Sequence, residues 1–146
     1  MIALDTNLLV YAHRAENQFH VSAAVCVKSL AEGRSTWAIP WPCLHEFYAV
    51  VTNRRIFAMP TPPMVAVKQV DAWLESPSLV LLAENSKHWM QLRELIGGAG
   101  LEGPMVHDAR IAALCLTHGV SELWSADRDF GRFPVLRTRN PLADVL

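Results

Sequence analysis

The feature that most constrains the fold of this chain is an alternation of short apolar runs with longer segments of helical periodicity. Strands that alternate with helices pair in parallel and are covered on both faces of their sheet. We therefore predict an α/β fold, with residues 1–146 forming a single three-layer α/β/α domain around a central parallel sheet. The predicted strands lie at about 1–4, 36–39, 79–82, 122–126 and 134–136. The predicted helices lie at about 8–13, 20–32, 43–53, 65–74, 86–96 and 107–118.

Proline and glycine residues mark the predicted boundaries. Gly33 and Gly119 follow helical segments and are expected to end them. Pro40 and Pro42 are expected to stop the second strand, because proline cannot donate to a ladder. The glycine-rich stretch over 97–104 predicts a flexible loop.

The composition is that of an ordinary globular domain. With 146 residues, of which 51% are hydrophobic and 18% charged, the chain can bury one continuous core but not two. No apolar run approaches the roughly 20 residues of a membrane span. Residues 1–5 also lack the basic leader of a signal peptide. We therefore expect a soluble cytoplasmic protein with no membrane contact.

The cysteines and the net charge exclude two classes of protein. Cys26, Cys43 and Cys115 form no Cys-x-x-Cys pair, so we predict reduced packing residues rather than a structural zinc site. A net charge of −1 excludes the strongly basic footprint of a general nucleic-acid coat protein. Arginine nevertheless outnumbers lysine, and its planar fork suits phosphate. The candidate phosphate contacts are Arg54, Arg55, Arg128, Arg132, Arg137 and Arg139.

Two aspartates follow predicted strands. Asp5 comes directly after the first strand, and Asp127 follows the strand that ends at Ala126. In parallel sheets flanked by helices, sites form beyond the carboxyl ends of the strands, where the strand order reverses. Both aspartates are therefore candidate site residues.

Two further acids share helix faces with apolar residues. By spacing, Glu46 falls on the same face as Phe47 and Val50, and Asp108 on the same face as Ile111. A carboxylate on an apolar stripe is costly unless it has a partner. Both positions therefore need an explanation beyond the fold.

Each of the four acids also has a simpler interpretation. Asp5 and Asp108 could cap helix N-termini, where anions are favoured. Glu46 could reach solvent from the edge of its helix face, and Asp127 could belong to a simple turn. The combination of the four acids, and no single one of them, indicates a site.

Four converging carboxylates would need their charge neutralised. Two like charges about 4 Å apart repel by roughly 4 kcal/mol at an effective dielectric near 20, so either some acids take up protons or a divalent cation binds. Carboxylate oxygens and water suit Mg²⁺ or Mn²⁺, whereas zinc favours histidine and cysteine. His45 and Glu46 do not form a zincin motif, because residue 49 is alanine.

The reaction that such a site serves best is phosphodiester hydrolysis. Magnesium held by a few carboxylates keeps waters and open positions for phosphate oxygens, and a metal-activated water can act as the nucleophile. The residues alone thus predict a small metal-dependent nuclease. Its predicted catalytic and metal-binding residues are Asp5, Glu46, Asp108 and Asp127.

Four motifs carry a resemblance to a known family. They are 2–12 (IALDTNLLVYA), 41–47 (WPCLHEF), 106–113 (VHDARIAA) and 124–130 (WSADRDF). Each is short, but the four occur in order across nearly the whole chain. Together they resemble the motifs of PIN-domain ribonucleases, and specifically those of the VapC toxins of bacterial and archaeal toxin–antitoxin pairs.

The resemblance implies a PIN-like α/β/α domain with a carboxylate site for Mg²⁺ or Mn²⁺. Asp5, Glu46 and Asp108 match the three most constant acids of the family, and Asp127 matches a fourth position where some members carry asparagine. It also implies supporting roles for neighbouring polar residues. These are Thr6 and Asn7 after the first acid, Ser125 before the fourth, and Asp129 as a support or outer ligand, with Asn7 and Ser125 orienting the ligands.

By the same resemblance, the chain is a metal-dependent endoribonuclease that hydrolyses transfer, ribosomal or messenger RNA. The implied partner is a VapB-like antitoxin whose extended tail lies across the active groove. The implied assembly is a homodimer.

Other functions fit the sequence less well. A haloacid-dehalogenase-type phosphatase, with an aspartate nucleophile, needs Asp-x-Asp after the first strand, but residue 7 is asparagine and Lys87 follows no motif. A receiver domain needs an acidic pair before its phosphorylated aspartate, which the sequence lacks. A catalytically silent PIN-like domain that only binds RNA or protein would be indicated by a lost acid, and all four are present. A cleavage assay with added metal separates this last alternative from a nuclease.

Overall fold

The computed structural model describes residues 1–143, which form five strands, six helices and two short 3₁₀ turns. The strands are β1 (Ile2–Leu4), β2 (Trp37–Pro40), β3 (Leu79–Leu82), β4 (Glu122–Trp124) and β5 (Thr138–Arg139). The helices are α1 (Thr6–His13), α2 (His20–Glu32), α3 (Trp41–Val51), α4 (Pro63–Leu74), α5 (His88–Ala99) and α6 (Val106–Thr117). The 3₁₀ turns are Gly103–Met105 and Arg128–Arg132.

The strands form one parallel sheet in the order β3-β2-β1-β4-β5. Right-handed connections, the rule for parallel strands, place α1 to α4 on one face and α5 and α6 on the other. The helix contacts agree, because α1 packs on α2 and α3, α3 packs on α4, and α5 packs on α6. The predicted three-layer α/β/α fold with a central parallel sheet is confirmed.

The direction of the chain across the sheet reverses between β1 and β4. From β1 the strands proceed outward through β2 to β3, and the chain then returns to place β4 on the other side of β1. The backbone N–H of Asp5 donates to the carbonyl oxygen of Trp124 at 3.0 Å, which holds the carboxyl ends of β1 and β4 together. Ligands of such folds bind in the crevice at this reversal.

The largest fully buried side chains of the core are aromatic. Trp37, Phe47, Phe130 and Phe133 are almost completely buried. The ring of Phe47 meets Trp73 in an edge-to-face arrangement with centroids 4.8 Å apart, which joins α3 to α4.

The junction of β2 and α3 differs from the prediction. Pro40 is the last residue of β2, paired with Leu82, and α3 begins at the next residue, Trp41. The strand can end on a proline because only its N–H is missing, and Pro42 fits the first helical turn, where N–H groups have no helical partner. No loop residue therefore separates this strand from its helix.

The predicted loop over 97–104 is wrong at its start. Helix α5 continues through Gly97 and Gly98 to Ala99 and ends at Gly100, which has a left-handed backbone with φ of 61°. The N–H of Gly100 donates to the carbonyl of Ile96, as in an αL helix end. Leu95 and Ile96, just before the two glycines, pack against the core, and the helix closes at Gly100 despite the low helix propensity of glycine.

The predicted strand at 134–136 is also wrong. The last strand is instead β5, whose residues are exposed, while Leu136 is buried and its N–H turns back to the carbonyl of Phe133. The apolar run therefore reflects burial in the core and not pairing in the sheet.

None of the helices within residues 1–143 has the length and apolar character needed to cross a bilayer.

Phe47 offers a test of the packing between α3 and α4. Phe47→Ala is expected to lower the free energy of unfolding by about 3–5 kcal/mol, because it removes a buried ring and leaves a cavity. Urea denaturation followed by circular dichroism measures the loss. The matched control is Tyr48→Ala on the same helix, where the ring is 37% exposed and the expected loss is below about 1 kcal/mol. Equal losses in the two variants would contradict this description of the core.

Candidate active site

A cavity of about 230 Å³ lies in the crevice where β1 and β4 end. All four of the acids singled out in the sequence, Asp5, Glu46, Asp108 and Asp127, line it. Asp5 and Asp127 follow the two central strands, Glu46 comes from α3, and Asp108 comes from the first turn of α6. The fold thus brings together four carboxylates from four separate segments of the chain.

Asp5 is buried and is held by three side chains. The Ser125 hydroxyl donates to Oδ2 of Asp5 at 2.7 Å, and the Asn7 amide donates to the same oxygen at 3.3 Å. The Cys43 thiol approaches Oδ1 at 3.6 Å. Asp5 stands at the N-cap position of α1 but makes no side-chain capping hydrogen bond, so capping does not explain it.

Ser125 connects the ends of the two central strands. Its hydroxyl donates to Asp5 and accepts from the Asn7 amide at 3.2 Å and from the Asp127 backbone N–H at 3.0 Å. The Ala126 N–H donates to Oδ1 of Asn7 at 3.1 Å, which fixes the orientation of that amide. One donor and two acceptors are the full capacity of a hydroxyl. Ser125 and Asn7 therefore hold Asp5 and Asp127 in a single network.

Glu46 is held from the side of α1 by Thr6. The Thr6 hydroxyl donates to Oε2 of Glu46 at 3.0 Å. The sequence placed Glu46 on the same face as Phe47, but Phe47 is buried whereas Glu46 is exposed at the edge of that face. Glu46 thus reaches solvent from the edge of its helix face, as the simpler interpretation had it, and it also lines the cavity.

Asp108, Asp127 and Asp129 form the tightest cluster of acids. One carboxylate oxygen of each lies within 4.8 Å of those of the other two. Asp127 does form a turn as well, because its Oδ1 accepts the Asp129 N–H at 2.8 Å. Asp127 is therefore both a turn residue and a cavity residue. The turn brings the Asp129 carboxylate next to those of Asp108 and Asp127. Arg132 approaches Asp129 from outside the cluster, at 3.7 Å.

The electrostatics of the cavity disfavour charged carboxylates in the absence of a cation. Burial raises the pKa of Asp5 to about 6, and repulsion from Glu46 adds to this, while the Ser125, Thr6 and Cys43 contacts act against it. Burial also raises the pKa of Asp108. Repulsion from Asp127, Asp129 and Glu46 raises it further, and attraction from Arg132 opposes them.

The donor set fits a hard divalent cation. The clustered ligand atoms are all carboxylate oxygens, which Mg²⁺ and Mn²⁺ prefer and which suit zinc less well. Two ligands of one Mg²⁺, each bound at about 2.1 Å, lie at most about 4.2 Å apart. Small side-chain rotations therefore suffice to bring these three carboxylates onto one ion.

Sequence reasoning missed two residues of the site. Cys43, interpreted as a packing residue, is a buried free thiol that also contacts Asp5. Its signal was its position one helical turn before Glu46. Tyr11 lines the cavity from the end of α1, and only its place in the first motif pointed to it. Burial raises the pKa of the Cys43 thiol well above its usual value, so it remains a protonated donor.

Of the six arginines proposed as phosphate contacts, the structure places Arg132 beside the acids. Arg54 and Arg55 lie on the segment between α3 and α4, where they are exposed and are not among the residues that line the cavity. Arg139 lies over the ring of Trp124, 5.9 Å from its centroid.

The chain is similar to proteins of known classification. A model of the PIN domain family matches residues 2–136. The chain is 40% identical over 142 residues to ribonuclease VapC43 of Mycobacterium tuberculosis, a match that covers 97% of this chain and 96% of that protein. It is 30% identical over 139 residues to ribonuclease VapC48 of the same species, with coverage of 95% and 96%.

Solved structures have the same fold. VapBC2 from Rickettsia felis, bound to a DNA fragment from its promoter, aligns with a TM-score of 0.69 at 24% identity, over 96% of this chain and 98% of that one. VapC20 of Mycobacterium tuberculosis, described as a Sarcin-Ricin loop cleaving toxin, aligns with a TM-score of 0.65 at 18% identity, over 90% and 93%. At these identities the likeness is one of fold. With the family model and the closer sequence relatives, it leads to one conclusion: the chain belongs to the PIN-domain family and, within it, to the VapC ribonucleases.

Asp5→Asn tests the cost of burying this carboxylate without a cation. A group whose pKa is raised on folding, here from 3.8 to about 6, binds more protons in the folded state, so its stabilising contribution is present below pH 3.8 and is lost as the pH rises through 6. Asparagine keeps an acceptor for Ser125 without the charge. In EDTA, the variant should therefore gain stability relative to the wild type between about pH 4 and pH 7, by up to about 3 kcal/mol.

Urea unfolding at a series of pH values measures this difference. The matched control is Glu32→Gln, an exposed acid on α2, whose stability should stay within about 0.5 kcal/mol of the wild type throughout. A pH-independent difference between Asp5→Asn and the wild type would contradict a raised pKa at Asp5.

Proposed function

We propose that this chain is a Mg²⁺- or Mn²⁺-dependent endoribonuclease that acts as the toxin of a toxin–antitoxin pair. The observation that carries the proposal is the convergence of Asp5, Glu46, Asp108 and Asp127 on one small cavity, in a chain of the VapC ribonuclease family. The proposal treats residues 1–146 as a single PIN domain whose action on RNA takes place in the cytoplasm.

In this proposal, the four carboxylates hold the cation. Asp108 and Asp127 are the core ligands because their oxygens are already clustered, and Asp129 supports them from the edge of the cluster. Asp5 and Glu46 line the same cavity and complete the set of carboxylates. When bound, the cation neutralises charge on the phosphodiester and lowers the pKa of the attacking water.

The chain's own residues orient this site before substrate arrives. Ser125 and Asn7 bond one oxygen of Asp5, and Cys43 contacts the other, so the carboxylate cannot rotate freely. Thr6 occupies one oxygen of Glu46 and so directs its other oxygen toward ligand or water. Positioned hydrogen bonds of this kind tune both the geometry and the basicity of a metal ligand.

The proposed partners follow from the relatives and not from the cavity. VapBC2 of Rickettsia felis and VapBC of Salmonella typhimurium are toxin–antitoxin complexes that share this fold, which supports a VapB-like antitoxin as the partner of this chain. The substrate is an RNA, whether transfer, ribosomal or messenger. VapC20, described as cleaving the Sarcin-Ricin loop, supports a structured cellular RNA. A homodimer remains part of the proposal.

The direct test is cleavage of total RNA by the purified chain. Cleavage is expected with MgCl₂ or MnCl₂ and is expected to be lost in EDTA. Asp108→Asn should lower the rate by at least about a hundredfold, since removing a metal-ligand charge removes the stabilisation of the phosphate. The matched control, Asp71→Asn, changes an exposed acid of α4 that lies outside this cavity and should retain the wild-type rate.

Sequencing of transcript ends from cells that express the chain alone identifies the cut sites. If the wild type binds RNA in EDTA yet leaves every transcript intact with metal present, the chain is a binding domain and the nuclease proposal is wrong. Growth arrest that requires Asp108, and that co-expression of a cognate VapB-like antitoxin relieves, is the result expected of a toxin.

Ser125→Ala tests the orienting network separately from the ligands. Loss of the hydroxyl removes the shortest hydrogen bond to Asp5 and the acceptor for the Asp127 N–H. We expect Mn²⁺ affinity, measured by titration calorimetry, to fall by about 10- to 100-fold, as is usual for groups that support metal ligands. Ser29→Ala on α2 is the control, and unchanged affinity in Ser125→Ala would show that the network does not tune the site.

A further inference from the structure

A groove between α3 and α6 continues the carboxylate cavity. It contains a second cavity of about 400 Å³ that shares Glu46, Asp108 and Ile111 with the first. Anything that enters the carboxylate site and extends in this direction must therefore lie between the two helices. The remaining lining residues are Pro42, His45 and Ala49 from α3 and His107 and Arg110 from α6.

Two histidines line the second cavity together with the acids that the two cavities share. His45 is the residue before Glu46, and His107 is the residue before Asp108. Both side chains are exposed. The ring of Trp41 packs against that of His45, with centroids 6.0 Å apart, and so restricts the orientations of this imidazole.

These two imidazoles differ in their hydrogen bonding from three other histidines, which have partners within the protein. His13, His20 and His118 form hydrogen bonds to Gln69, Tyr11 and Ala83, respectively. Within residues 1–143, no hydrogen bond or ion pair ties His45 or His107. Their ring N–H groups are therefore open to a ligand in the groove.

Arg110 also lines the groove, but its charge is already paired with an acid of the protein. Its Nε donates to Glu84 at 2.7 Å, and the same two residues form an ion pair. The guanidinium charge is thus compensated at the end of β3. Unlike Arg110, the two histidines are not paired with an acid among residues 1–143, so their ring N–H groups can serve an anion.

An extended anionic strand needs such donors next to this site. Four carboxylates repel a phosphodiester that approaches them, and a cation at the cavity offsets this repulsion only locally. The phosphate next to the one being cleaved lies beyond the reach of this local compensation, so N–H groups positioned beside it would stabilise it. Such phosphate contacts also fix the register of a nucleic acid. A groove between two helices suits a single strand, because proteins that bind single-stranded nucleic acid track its backbone along a groove.

We propose that His45 and His107 bind the phosphate adjacent to the scissile one, so that single-stranded RNA runs along the groove between α3 and α6. The inference rests on the proposed ribonuclease function and deepens it by placing the strand. Both histidines act as substrate-binding residues that set the affinity for RNA and leave the chemical step to the carboxylates.

Direct binding tests this placement without depending on cleavage. The probe is a fluorescein-labelled single-stranded RNA of 12 mixed nucleotides, followed by fluorescence anisotropy in MgCl₂, with the full chain in an Asp108→Asn background to prevent cutting. Adding His45→Ala and His107→Ala together should raise the Kd at least about tenfold, because each removes a hydrogen bond to a charged group. Lys28→Ala, which removes a charge from α2 outside both cavities, should leave the Kd within about twofold.

Three further measurements separate this role from a structural one. In the chain with Asp108 intact, the histidine variants should raise KM for the same RNA about tenfold and leave kcat within about twofold. His107→Gln, which keeps an N–H donor, should recover part of the affinity. Mn²⁺ affinity, measured by calorimetry, should not change, whereas a tenfold loss would make the histidines metal ligands and overturn the proposal.

Different results would overturn the ribonuclease proposal and the assignment of the groove to RNA. If the wild type does not cleave RNA but binding still depends on His45 and His107, the ribonuclease proposal fails and the groove assignment stands. A Kd for RNA that is unchanged by both histidine substitutions overturns the groove assignment whether or not cleavage occurs. A duplex of the same sequence that binds as tightly as the single strand also overturns it.

Discussion

The hydrogen bond from Ser125 to Asp5 is the contact on which the rest of the site depends. It joins the residues that directly follow β1 and β4, beside the backbone bond from Asp5 to Trp124 that holds the same strand ends. Because Ser125 also accepts from the Asp127 N–H, one hydroxyl sets the positions of two carboxylates. The sheet supplies the rigidity, since the strands that carry these residues pair with neighbours on both sides.

The clustered acids of the site lower the folding stability of the domain when no cation is bound. Desolvation raises the pKa of Asp5 and of Asp108, and the neighbouring acids add to both shifts. A core of fully buried aromatic and aliphatic side chains offsets this cost. Strain of this kind is usual where function requires like charges to share a cavity. Under the proposed function, the same excess of negative charge is what hydrogen-bond donors along the neighbouring groove would offset for an anionic substrate.

The fold and the four acids could be predicted from sequence because they depend on local pattern. Asp5 and Asp127 follow apolar runs, and parallel strands bring such ends together. The arrangement of Asp129 could not be predicted, since it depends on a 3₁₀ turn that begins after Asp127. The last strand was misplaced because Leu136 is buried in the core without pairing in the sheet. The end of α5 was misplaced because the helix ends at the glycine with a left-handed backbone, Gly100, and not at the first glycine of the run.

The absence of any spacer between β2 and α3 has a consequence for how this chain can tolerate changes in length. Each residue added or removed at that junction would turn the helix by about 100° about its axis. Glu46 would then swing away from the crevice, and Phe47 would leave the core. Insertions are much easier to accommodate in the segment between α3 and α4, where most residues are exposed. The direct junction between β2 and α3 thus limits where related chains can differ in length.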